Sequence, residues 1–310
     1  KETNMPKEIT VKSVLNKLKK RDSWFLCDYS VNLYSSCSFN CLYCYIRGSK
    51  YGSNLAESLS VKINSLEILE RQLFNRAKKE QYGIIVLSSA TDPYLPVEEK
   101  YQLTREALKL ILKYKFPVHI ITKSDLLERD FDLLTEINHK AILPVGLQSL
   151  KKGVIISFSF STLSDDISRI FEPGTTIATK PDQRLIALKN AIHQKFHAGV
   201  SLMPLLPFIS DTAENLNHLF STFQTIGVAY ILPATLTLHG TGKAASKTLV
   251  LNAIRRNFPE LEQRYINYFK NGSEMPAYYQ KAFYAKMKEL SHEYGIPDSI
   301  LNSGITDTNL

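Results

Sequence analysis

The chain has 310 residues, 44% of them hydrophobic, enough to bury a sizeable core in one large domain or in one domain with an extension. Glycine and proline number 13 each, which excludes a collagen-like or repetitive chain and argues against disorder. The 38 basic and 30 acidic residues leave a net charge of +8, which admits nucleic acid or another polyanion as a partner and equally fits a basic protein without one.

Residues 1–30 read as a lead-in carrying Trp24 and Tyr29, and 32–45 carries three cysteines. The stretch 59–79 reads as a helix, because Leu59, Ile63, Leu66, Leu69 and Leu73 share one face. A short apolar strand over 83–87 leads into the polar loop 88–94. A helix over 101–113, a strand over 118–122, a helical stretch over 126–134 and a turn at 148–152 follow. Strands are then expected over 154–160, 199–206 and 228–233, separated by helices over 182–197 and 212–226. Repeated strand, polar loop and helix give an α/β fold, a parallel sheet covered by helices. With roughly six such units, a partial (β/α)6 barrel of the TIM type is favoured over a doubly wound sheet. In both, the C-terminal ends of the strands carry the chemistry. Helices over 249–257, 261–268 and 277–293 form a C-terminal extension. The expected organisation is a lead-in at 1–30, a core at 31–240 and a helical extension at 241–310.

Three of the four cysteines, Cys37, Cys41 and Cys44, fall within one short stretch, unlike a secreted disulfide framework. No apolar run is long enough to cross a membrane and no signal peptide opens the chain, so a cytoplasmic, reducing setting is expected. Three thiolates on one loop can ligate three corners of a cubane cluster and leave one iron open to a small molecule. Tetrahedral zinc would need a fourth ligand, from Cys27 or a histidine outside the motif.

The run Cys37-Ser38-Phe39-Asn40-Cys41-Leu42-Tyr43-Cys44 resembles the CxxxCxxC signature of radical S-adenosylmethionine (radical SAM) enzymes, with an aromatic residue before the third cysteine. The likeness extends to the spore photoproduct lyase-like, DNA-repair-photolyase-like group. It is carried by Asn32-Leu33-Tyr34, by Tyr45-Ile46-Arg47, by Thr91-Asp92-Pro93-Tyr94 with Pro96 and Glu98, and by Thr104-Arg105. Thr122-Lys123-Ser124, Arg129-Asp130, Ser157-Phe158-Ser159, Glu172-Pro173 and Arg184 continue it. The resemblance implies a [4Fe-4S] cluster on Cys37, Cys41 and Cys44, with S-adenosylmethionine chelated to the fourth iron. It implies reductive cleavage of that cofactor to methionine and a 5'-deoxyadenosyl radical, with an electron donor such as flavodoxin or ferredoxin.

On the same resemblance, Tyr43 is a candidate for the adenine side of the cofactor pocket and Lys123 for its carboxylate. Ser157 and Ser159, on one strand face by period two, are candidates for its ribose or amino-acid portion. Asp92 is placed at the site without a fixed role. Each has a structural reading beside it: a core aromatic, a surface lysine, hydroxyls satisfying the backbone, a turn cap. Glu172 and Arg184 are expected to form an ion pair or to shape the mouth. Two departures matter. Gly174 stands where many relatives carry a basic residue. Ser89 stands where spore photoproduct lyase carries its hydrogen-donating cysteine, and Cys27 reads as an ordinary buried cysteine. The expected substrate is nucleic acid or a nucleotide. The alternatives are a peptide, protein or small metabolite, favoured by an apolar pocket with few basic groups, and a non-catalytic iron–sulfur binding or electron-transfer protein.

Overall fold

The computed structural model describes residues 6–48, 55, 59–174 and 179–301. The strands, in chain order, are β1 (Lys7–Ile9), β2 (Leu15–Lys17), β3 (Tyr29–Val31), β4 (Tyr34–Ser35), β5 (Ser60–Lys62), β6 (Ile85–Leu87), β7 (Val118–Thr122), β8 (Val154–Phe160), β9 (His197–Leu205) and β10 (Ile231–Thr235). One sheet has the order β10-β9-β8-β7-β6-β3-β2. All its pairings are parallel except that of β2 with β3. A doubly wound sheet reverses its strand order midway. Here β3, β6, β7, β8, β9 and β10 follow one another without reversal, as in a split barrel.

The strands β6, β7 and β8 are almost wholly buried, which is why they read as continuous apolar runs. Outside them lie the helices Ser65–Ala77, Leu103–Lys113, Phe131–Lys140, Pro181–His193 and Ala213–Ile226. Helix Leu103–Lys113 buries Ala107, Leu108 and Ile111 and leaves Lys109 to solvent. Helix Ala213–Ile226 starts where the Thr212 hydroxyl accepts from the Asn215 N–H and stops at Gly227, whose φ of 82° suits glycine.

Inside the barrel, Ile84, Ile155 and Leu232 pack with Leu26 and Leu150 into a separate apolar floor. One layer above, His119, Ser157 and Tyr230 join hands: His119 Nε2 lies 2.8 Å from Ser157 Oγ, which lies 2.8 Å from the Tyr230 hydroxyl. Tyr230 can cross the interior because its neighbour is Gly199, where a Cβ would stand 2.6 Å from the ring. Above this layer the barrel opens into a cavity.

The expected helix over 59–79 divides. Residues 60–62 form β5, which pairs with β1 and β4 in a separate three-stranded sheet, and the helix runs only over Ser65–Ala77. The sheet also extends into the lead-in: β2 and most of β3 lie before residue 31. Helix Asp165–Phe171 was not anticipated; Ser164 caps it, its hydroxyl accepting from the Ile167 N–H. The extension packs onto the β9–β10 side, where the Tyr265 hydroxyl donates to the Pro207 carbonyl and Phe283, Met287 and Leu290 join the main core. No helix among the described residues is long and apolar enough to cross a membrane.

Candidate functional site

The cysteine loop follows the C-terminal end of β3 by way of the two-residue β4, at the end from which a barrel presents chemistry. It makes a tight path, with Ser36 (φ 69°) and Asn40 (φ 52°) in the left-handed region. Its exit is braced by Arg47, buried at 3% exposure, whose Nε donates to the Cys41 carbonyl at 2.8 Å and whose guanidinium also meets Asn40. Its entrance is tied to the 88–94 loop: Asn32 bonds Ser89 Oγ and the Ala90 N–H, and the Thr91 hydroxyl donates to the Ser36 carbonyl.

A third support comes from the segment after helix Asp165–Phe171. The Leu42 N–H donates to the Phe171 carbonyl at 2.8 Å, and the Gly174 N–H donates to the Phe39 carbonyl at 3.0 Å. A Cβ at Gly174 would lie 2.3 Å from the Ser38 carbonyl oxygen. This close approach of two backbones explains glycine at this position.

A cavity of about 600 Å³ opens beside the loop, within the usual size of a ligand site. Cys37, Cys41, Cys44, Tyr43, Asp92, Lys123 and Ser159 all line it. Ser157 does not. It shares a strand face with Ser159 but lies one layer deeper, its hydroxyl occupied by His119 and Tyr230. Period two fixed the face and could not fix the depth.

Glu172 is the hub behind the cysteines. Its carboxylate accepts from Tyr43, from Ser161 at 2.7 Å, from Lys123 Nζ at 2.9 Å and from Arg184 at 2.8 Å. Burial pushes the Glu172 carboxyl up, but Lys123 and Arg184 outweigh it and hold it well below the usual carboxylate range. The Tyr43 hydroxyl is thereby engaged, and its ring is what the cavity sees. Asp92 accepts from the Lys123 N–H (2.8 Å), the Tyr94 N–H (2.9 Å) and the Thr122 hydroxyl (2.7 Å), yet burial still raises it to about 6. The buried carboxylates of Glu98 and Asp130 pair with the half-buried Arg129 and Arg105 in an ion network that meets the 88–94 loop where Arg129 lies over the Tyr94 ring, and none of the four lines the cavity.

Of the three thiols, Cys41 is buried and Cys37 and Cys44 are half-buried at the cavity wall. Burial, with help from Glu172, pushes Cys41 up to about 12, and burial raises Cys37 and Cys44 too. Thiolates there need a positive partner, and a metal centre is one. Soft sulfur donors on a single cavity wall fit an iron–sulfur cluster. Among the described residues, no three His, Cys, Asp or Glu side chains are gathered for a single metal ion. Arg47 entered the sequence reading only through the family resemblance, without its bracing role, and Ser201, which carries no motif, was missed. Ser201 lines the cavity with its hydroxyl buried and, among the described residues, without a hydrogen-bond partner.

The sequence model described as the radical SAM superfamily matches residues 31–219. An uncharacterized protein of Mycobacterium tuberculosis is 26% identical over 293 residues, covering 93% of this chain and 80% of that protein. An uncharacterized protein of Methanocaldococcus jannaschii is 29% identical over 184 residues, covering 59% of this chain and 62% of that protein. Among solved structures, spore photoproduct lyase complexed with dinucleoside spore photoproduct matches with a TM-score of 0.60 at 15% identity, covering 94% of this chain and 80% of that one. That last likeness is one of fold.

Proposed function

The chain belongs to the radical SAM superfamily and is a radical SAM enzyme, and from that premise we propose that Cys37, Cys41 and Cys44 hold a [4Fe-4S] cluster whose open iron takes S-adenosylmethionine. The observation that carries the assignment is that all three thiols line one cavity together with Lys123, Asp92 and Ser159. When bound, the cluster and its cofactor supply reductive cleavage of a sulfonium bond and the radical chemistry that follows. The chain's own residues position and exclude. Lys123 and Ser159 are assigned to the polar end of the cofactor and the Tyr43 ring to its flank. Asp92 orders the 88–94 loop and the start of the 123–124 turn through its three hydrogen bonds. Ser157 belongs to the inner layer that closes the barrel beneath.

For the substrate we favour nucleic acid or a nucleotide. The support is the fold shared with spore photoproduct lyase, solved with a dinucleoside photoproduct, and the net charge of +8. A peptide, protein or small metabolite is the second reading, and one observation favours it. Lys123 is the only basic residue lining the cavity among those described, and it is paired with Glu172.

Anaerobic reconstitution with iron, sulfide, S-adenosylmethionine and a reductant, such as a reduced flavodoxin or ferredoxin, tests the first part. 5'-Deoxyadenosine is the expected product, and its reproducible absence from an intact reduced cluster would sink the reading. Gel shifts with single- and double-stranded DNA and RNA at rising salt test the second. No binding at low salt removes nucleic acid and leaves the radical chemistry.

A further inference from the structure

Outside the cavity, at the mouth end of the barrel, the extension carries a patch of aromatic rings interleaved with cations. The loop after β9 brings Phe208, helix Glu262–Tyr268 brings Arg264 and Tyr268, and helix Ala277–Tyr294 brings Tyr278. The Arg264 guanidinium lies 4.9 Å from the Phe208 ring centre. The Phe208 and Tyr268 rings stack with centres 5.8 Å apart at 21°, and Tyr278 meets Tyr268 edge-on at 6.5 Å. We propose that this patch binds single-stranded nucleic acid, its rings stacking on unpaired bases and its cations meeting the phosphates between them. The proposal rests on the reading of the substrate as nucleic acid, and adds where the strand is held and that it is unpaired there.

The patch is open to solvent and leads to the cavity. Tyr278 is 68% exposed and Arg264 is exposed, while Phe208 and Tyr268 are half-buried. Lys281 and Tyr284 follow Tyr278 at three and six residues, along one inclined row of the helix. Tyr284 is 41% exposed and hydrogen-bonds Thr235, the last residue of β10 and part of the cavity rim.

The patch is also preset. Phe208 has a φ of 63°, a left-handed conformation that bulky side chains rarely adopt. The Asp211 carboxylate holds it there, accepting from the Phe208 N–H on one oxygen and from the Tyr279 hydroxyl on the other. Backbone held against its preference gathers at binding sites, and the strained residue here is the one whose ring joins Arg264 to Tyr268.

Charge selects the occupant. Among the described residues, the ion pairs within the extension are Arg255 with Glu262 and Lys286 with Glu289, so Arg264 and Lys281 have no carboxylate partner. Free cations between rings match a polymer in which flat faces alternate with negative charges. A duplex keeps its base faces covered, and only an unpaired strand offers them. A neutral peptide would leave both cations without a counter-charge.

Fluorescence anisotropy tests the patch on the reconstituted holoenzyme, with an oligothymidylate of about 12 nucleotides and an abasic strand of the same length and charge. The oligothymidylate should bind about tenfold tighter than the abasic strand. Tyr278→Ala should remove most of that difference, and Tyr278→Phe should keep it. Arg264→Gln should weaken both strands alike and lower the salt slope by about 0.7. Equal affinity for the two strands, tighter binding of the matching duplex, or tighter binding of a proline-rich peptide overturns the patch. Oligothymidylate binding that ignores Tyr278→Ala sinks the patch alone and leaves nucleic acid as the substrate. No binding of any strand removes both and leaves cofactor cleavage. Base-dependent binding without 5'-deoxyadenosine formation sinks the radical reading alone.

Discussion

The hydroxyl of Tyr43, a residue set between Cys41 and Cys44, donates to the carboxylate of Glu172, which lies 129 positions later at the end of another helix. The same carboxylate holds Lys123 and Arg184. One buried acid therefore joins the cysteine loop to the end of β7 and to helix Pro181–His193. Replacing it leaves two buried cations without a counter-charge, a loss of about 3–5 kcal/mol. Glu172→Gln should lower unfolding stability by an amount in that range, measured by urea titration. Adding Lys123→Met should cost less in that background than in the wild type, because the two residues share one interaction.

Gly174→Ala tests the backbone approach. Its new Cβ meets the Ser38 carbonyl at 2.3 Å, and backbone on both sides leaves little room to yield. A loss of about 1–3 kcal/mol is expected, with reduced iron retention per chain after reconstitution. Unchanged melting and unchanged iron content would show that the loop does not rest on this segment.

Cys41→Ala should abolish a stable cluster and with it cofactor cleavage, while the far-ultraviolet circular dichroism of the barrel persists. Iron and sulfide analysis beside the visible absorption spectrum gives the answer. Tight zinc binding by the wild-type protein in place of iron would count against the ligand assignment.

His119 supplies a pH dependence. Burial is the main cause that lowers its pKa to about 4; nearby His197 lowers it further, while the Phe25 carbonyl and Asp22 oppose. The carbonyl of Phe25 can only accept, so the neutral ring carries its proton on Nδ1, and Nε2 accepts from Ser157. A folded-state pKa below the unfolded value near 6.5 means that the native state binds fewer protons. This contribution is full above about pH 6.5 and is lost as the pH falls through about 4, roughly 3 kcal/mol in all. His119→Gln should flatten that part of the stability–pH curve relative to wild type. Asp92, raised to about 6 by burial, works in the opposite sense in both proteins and cancels in the comparison.

The sequence carried the barrel best where strands are long and buried: β7 and β8 span the same residues as the apolar runs that announced them. It failed at β5 and β3, three residues each, because such strands exist through distant partners rather than through their own pattern. The ion pair of Glu172 with Arg184 was foreseen, but the share of Tyr43 and Lys123 in it was not, since four separate segments meet there. Gly174 looked like a missing contact and is a point of backbone contact. Arg47 was named only through the resemblance, and Ser201 left no periodic signal, since each matters through what the fold brings beside it.

A split barrel ends in two raw strands, each a row of unpaired amides on which another chain can nucleate. On one side that hazard is blunted by β2, which is only three residues long, runs against its neighbour and turns Asn16 and Lys17 to solvent. On the other, the Ile231 N–H at the start of β10 is taken by the Pro297 carbonyl, and helix Ala277–Tyr294 lies against the strand. The extension thus works as a selvedge for the sheet, and trimming it should raise the chain's tendency to self-associate.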